Sequence, residues 1–139
     1  MKSMHISRLP DWQLRLEAFV NARRSTPFAW GTNDCGIFAA DCVLALTGTD
    51  PAPKGMREHR TAKQAARAVN RRGGLMGIAT AAFGPAAPAV FAHVGDVVLV
   101  NIGKRQALAI CNGSTAIGPS EIGMACVSMD CATVFWRVP

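Results

Sequence analysis

The sequence predicts an α+β domain in which helices precede an antiparallel β-meander. Three observations carry this. Apolar residues recur at helical spacing from Leu9 to Val20 and fill the segment from Ile37 to Leu46. Basic residues repeat every three or four positions from Arg57 to Arg71. After Val94 the pattern changes to short β-branched runs separated by glycine-containing turns. At 139 residues the chain makes one domain, able to bury roughly two-thirds of its unfolded surface without disulfides or a metal. Residues 1–139 read as a single unit, with 1–10 as a flexible N-terminal segment.

The first helix runs from about Asp11 to Arg23, with Leu9, Trp12, Leu16, Phe19 and Val20 as its apolar stripe. The second starts at Cys35. Asp34 supplies the short acceptor side chain of an N-cap, Gly48 a left-handed C-cap, and Pro51 bars continuation. Between Ile37 and Leu46 the one polar residue is Asp41. A helix apolar all round lies between two layers, here a sheet and another helix. Asp41 is expected to pair with a buried arginine or a backbone group, because an unpaired buried carboxylate is costly.

A third helix is bounded by Thr61 and Gly73-Gly74. Arg57, Arg60, Lys63, Arg67 and Arg71 are assigned to one face and Ala62, Ala65, Ala66 and Val69 to the other. Much of the net charge of +6 sits on that face. A basic helix face is ordinarily a solvated surface; the functional alternative is contact with an acidic cell-wall polymer or partner protein. Nucleic acid is disfavoured as a partner, since no aromatics interleave the charges and no recognition motif accompanies them. From Leu75 to Ala92 there is room for one short helix before Pro85 and Pro88 force a loop.

The strands are expected at Val94 to Ile102, Ala107 to Cys111, Thr115 to Ile117, Ala125 to Met129 and Val134 to Val138. Gly103-Lys104-Arg105-Gln106 and Asn112-Gly113 are the turns between the first three.

Half the residues are hydrophobic and charges are sparse, which describes a globular chain. Met1 to Asp11 lacks the apolar core of a signal peptide, and no stretch approaches ~20 apolar residues, so the expectation is synthesis in the cytoplasm with no membrane segment. No glycine loop has phosphate-binding spacing, and no cofactor is implied. Five cysteines, at positions 35, 42, 111, 126 and 131, form an odd set without a C-x-x-C pair, so neither a disulfide framework nor a zinc ribbon is indicated. Cys35 and Cys42 lie two helical turns apart, roughly 10 Å, too far to share one ion.

Cys35 is the candidate nucleophile. A helix N-terminus carries unpaired N–H groups and partial positive charge, so a thiol there is expected to ionise below its free value of about 8.5. The competing reading is a small buried hydrophobe, the usual fate of a free cysteine.

Trp30-Gly31, Asp34-Cys35-Gly36 and the strand opening Gly95-Asp96-Val97-Val98, in that order, resemble the NlpC-type branch of papain-like cysteine peptidases. Phe38-Ala39-Ala40-Asp41, the Thr47-Gly48-x-Asp50-Pro51 helix exit and Trp136-Arg137-Val138 are more similar to a small phage-borne group related to it. The resemblance implies a papain-like single domain and a place among phage tail or baseplate proteins in the virion tail tip, with peptidoglycan as the substrate of active members. In such enzymes a histidine opening the second strand activates the cysteine, and a polar residue on the third strand orients it. Laying that pattern on this chain puts Ala107 at the histidine position and the third-strand position near Gly118, so only the nucleophile carries over.

Other histidines are weaker substitutes. His93 precedes the first strand and falls about one strand length, on the order of 15 Å, from the usual base position. His59 and His5 read as surface residues. Three functions follow: a catalytically degenerate structural component of the tail tip, an active cell-wall peptidase or amidase using Cys35, and a metal centre drawing on separated cysteines such as Cys111, Cys126 and Cys131.

Overall fold

A computed structural model describes residues 6–139 and gives an α+β domain. Among those residues four α-helices, α1 (Trp12–Arg23), α2 (Cys35–Thr47), α3 (Ala62–Arg71) and α4 (Gly74–Phe83), precede six strands. The strands are β1 (Ala87–Pro88), β2 (Val97–Ile102), β3 (Arg105–Cys111), β4 (Thr115–Ser120), β5 (Gly123–Ser128) and β6 (Ala132–Trp136). They form one antiparallel sheet in the order β1-β6-β2-β3-β4-β5. The meander holds from β2 to β5, and β6 then returns to pair with β2 across a bulge at Leu99/Val100.

Helix α2 is the central piece. Asp34 has extended backbone and its carboxylate accepts from Ile37 N, while Gly48 ends the helix at φ 79°. One side of α2 meets α1, where Phe19 and Phe38 pack edge to face with centroids 5.1 Å apart. The other side lies on β3 and β4, so that Phe38, Cys42, Val43 and Leu46 share a core with Leu99, Leu108, Ile110, Ile117 and Trp136. Asp41, at the edge of this core, pairs with Arg23 and with Arg57, the latter at 2.7 Å, as a shielded carboxylate requires.

The N-terminal segment is packed from Ile6 onward, contrary to the flexible reading of 1–10. Ile6 is buried, Arg8 N donates to Pro139 O at 2.7 Å, and Leu9 N donates to Leu46 O at 2.8 Å. The Arg8 guanidinium donates to Val138 O, Val94 O and the carboxylate of Asp96. Asp96 is fully buried and also accepts from Val138 N and His93 N. These bonds satisfy a charge that would otherwise expel the segment into water. His5 lies outside the described residues.

The basic helix is shorter than its charge pattern. Thr61 caps α3 at Gln64 N, so Arg57 and Arg60 fall outside it. Arg57 sits in a 3₁₀ turn, Met56–Glu58, drawn to Asp41 and Asp50, and Arg60 donates to Arg57 O and His59 O. Lys63, Arg67 and Arg71 remain as the exposed face.

A second departure concerns the first hairpin. Its turn is Gly103-Lys104 alone, and Arg105 and Gln106 already pair with Ile102 and Asn101. This register fixes which side chains of β3 face the helices. Leu108 and Ile110 join the core beneath α2, whereas Ala107, Ala109 and Cys111 face a smaller core with Val98, Val100 and Phe135 on the opposite side.

Candidate functional site

The turn before α2 is built to hold the helix start in place. Gly31 at φ 78° lets the chain reverse, and its N–H donates to Asp34 Oδ2 at 2.9 Å while Ile37 N donates to Asp34 Oδ1 at 2.9 Å. Both oxygens of Asp34 are thus committed to capping, as the sequence predicts for this residue. Asn33, also buried, donates to Thr26 O and Pro27 O and accepts from Arg23. Trp30 packs edge to face on Phe28 with centroids 4.7 Å apart.

Cys35 follows as the first residue of α2 and remains half-buried. It borders a partly open cavity of about 310 Å³ between α2, α3, α4 and the start of β3. The walls are mostly apolar, and the polar side chains reaching them include those of His59, Gln106 and Asn70. Burial pushes the Cys35 thiol up, and the neighbouring Asp34 carboxylate adds to this, against the opposing pull of the Leu108 and Gly36 backbone N–H groups and of Arg105. This direction is opposite to the one expected of a thiol at a helix N-terminus. Cys42, deeper in the core, is pushed up to about 12 by burial.

On Cys35's side of the sheet, the start of β3 offers Gln106 and Leu108. Ala107, the position that the sequence comparison with NlpC-type peptidases sets against their histidine, is on the other face and does not confront the thiol. Shifting by one position restores the facing residue without restoring a base, because neither an amide nor an isobutyl group accepts a proton from a thiol. Gly118 lies in β4 opposite Ala125 and contributes no side chain.

His93 is not brought to Cys35. Its backbone N–H donates to Asp96, its Nδ1 lies 2.6 Å from Arg137 Nη1, and the adjacent Gly95 N bonds to Cys111 O at the far end of β3. His59, read from sequence as a surface residue, is instead half-buried on the wall of Cys35's cavity, and its Nε2 is buried without a hydrogen-bond partner. Gly31 packs against this turn: a Cβ there would collide with His59 O and crowd Arg57 O and the Arg60 guanidinium.

All five cysteines are free; Cys42 and Cys111 are buried, Cys35 and Cys131 half-buried and Cys126 exposed. Among the described residues no three His, Cys, Asp or Glu side chains gather where they would hold a metal ion. No helix of the described residues is long and apolar enough to cross a membrane.

No curated protein matches the chain. A family model does, over residues 7–138, which takes in every helix and strand and the whole of the Cys35 cavity. The chain belongs to the family described as Domain of unknown function (DUF6950).

Proposed function

We propose that the protein is a structural component of a phage tail tip or baseplate, built on an NlpC-like papain-type fold whose active site no longer catalyses. The observation that carries this reading is the face of β3 opposite Cys35, where Gln106 and Leu108 stand in place of an imidazole, while burial pushes the thiol up. A cysteine so placed has lost both the base and the electrostatic help that a thiolate needs. The exposed Lys63, Arg67 and Arg71 of α3 supply a contact surface for an acidic neighbour in the assembly. Incubation of the purified protein with peptidoglycan is expected to release no peptide or amino-sugar fragments, and the protein is expected in mass spectra of purified virions. Cleavage that disappears in Cys35→Ser would overturn the degenerate reading.

One observation favours a second reading, an active cell-wall cysteine peptidase or amidase. His59 borders the same cavity as Cys35 and its Nε2 is uncommitted. Under this reading the same digestion yields fragments, and both Cys35→Ser and His59→Ala abolish them.

A further inference from the structure

Two cavities of opposite character adjoin at His59. The first is the apolar one beside Cys35. Val69, Leu75, Ile78 and Phe83, which would be fully buried in a close-packed interface between α3, α4 and α2, remain only half-buried because they wall this space. At about 310 Å³ it is twice the size of the ~150 Å³ apolar cavity known to take up benzene, and reaches the lower range of small-molecule sites. The second is an open groove of about 680 Å³ between α3 and the 54–59 turn, bordered by Lys54, Arg67, Arg71 and Arg72, with Glu58 as its one carboxylate. Among the described residues Lys54, Arg67 and Arg71 have no ion-pair partner. Met56, His59 and Asn70 belong to the walls of both cavities, so the two spaces abut at these three side chains.

We propose that these adjoining cavities bind one anionic amphiphile, its apolar chain beside Cys35 and its charged head on Lys54, Arg67 and Arg71. Apolar burial drives the chain into the first cavity, and the guanidinium groups match the geometry and charge of a phosphate or carboxylate. His59 lines both cavities, and its Nε2 is buried without a hydrogen-bond partner. Binding of this kind involves no reaction at Cys35 and does not rest on the tail-tip reading, although it draws on Arg67 and Arg71, which that reading gives to an acidic neighbour.

Calorimetric titration of the intact protein with decyl phosphate below its micelle-forming concentration tests this. One-to-one saturable binding is expected, weakened at least fivefold in Arg67→Ala/Arg71→Ala and at least tenfold in Ala82→Phe, whose ring would fill the apolar cavity from α4. Circular dichroism verifies that each variant is folded. Decyl maltoside, with the same chain and no charge, is expected to bind at least fivefold more weakly than decyl phosphate. Equal affinity for the two amphiphiles would overturn the assignment of the head. Unchanged affinity in the folded Ala82→Phe variant would overturn the assignment of the chain. Binding to phosphatidylglycerol vesicles with none to monomeric decyl phosphate would reduce the feature to surface attraction and overturn the site altogether.

Discussion

Gly31 and His59 meet backbone to backbone: a Cβ built on Gly31 would stand 2.1 Å from His59 O and 2.6 Å from Arg60 Nη1. The turn that delivers Cys35 to the cavity and the turn that delivers His59 to its wall are therefore fitted to each other, although they lie far apart in sequence. Gly31→Ala is penalised twice, by this collision and by a φ of 78° that side chains avoid. It is expected to cost about 2 kcal/mol or more in urea unfolding and to shift the His59 imidazole resonances while leaving those of His93 in place.

Thiol reactivity checks the burial of Cys35. With the other four cysteines replaced, iodoacetamide alkylation is expected to stay slow through pH 8 and to accelerate only above the ordinary thiol value of 9.0. Arg105→Ala removes a favourable charge and is expected to slow alkylation further at any fixed pH, whereas Arg15→Ala, on the exposed face of α1, leaves it unchanged.

Stability toward alkali is expected to depend on Cys42. The folded protein keeps this proton up to about 12, while the unfolded chain releases it near 9.0. Its contribution is therefore intact below the lower value and lost as pH climbs toward the upper one, at up to about 1.4 kcal/mol per pH unit. Comparing urea midpoints at pH 8 and pH 10, wild type is expected to lose about 1 kcal/mol more than Cys42→Ala, which starts from a lower value because of the cavity it leaves.

Asp96 anchors both ends of the domain. Asp96→Ala leaves the Arg8 guanidinium inside the protein without its counter-charge and frees the Val138 and His93 N–H groups. The expected loss is about 3–5 kcal/mol, read from urea unfolding, with proteolysis beginning at the N-terminal segment. Asp96→Asn keeps part of the hydrogen bonding and is expected to lose less.

Capping at Asp34 is predicted to be structural. Asp34→Ala deprives Gly31 N and Ile37 N of their acceptor and is expected to lower stability by about 1–2 kcal/mol, with Asp34→Asn recovering part of it, since its one amide oxygen serves only one of the two N–H groups. Recovery by the uncharged amide would separate a cap from a proton-transfer role.

What the sequence made legible is what local chemistry decides. The bounds of α2 follow from Asp34 and Gly48, and the pairing of Asp41 from its place on an otherwise apolar helix. The facing of β3 was not legible, because Ala107, Leu108, Ala109 and Ile110 are all apolar and carry no alternation; the length of the Gly103-Lys104 turn decides it. Nor does periodicity reveal that Arg57 abandons the helix pattern, since Asp41 and Asp50 reach it from another element. The burial of His59 escapes a sequence reading for the same reason: its surroundings come from residues distant in sequence. The return of β6 to β2 is likewise a matter of tertiary pairing.

Because Arg8 N and Pro139 O are hydrogen-bonded at 2.7 Å, the domain enters and leaves through a single doorway. A short linker from Pro139 to Arg8 would close the described residues into a ring, and fresh ends opened at the Gly103-Lys104 turn would give a circular permutant with the same walls around Cys35. The same doorway suits the domain to being carried as a cassette in a loop of a larger host, since the host's own backbone would scarcely be parted to admit it.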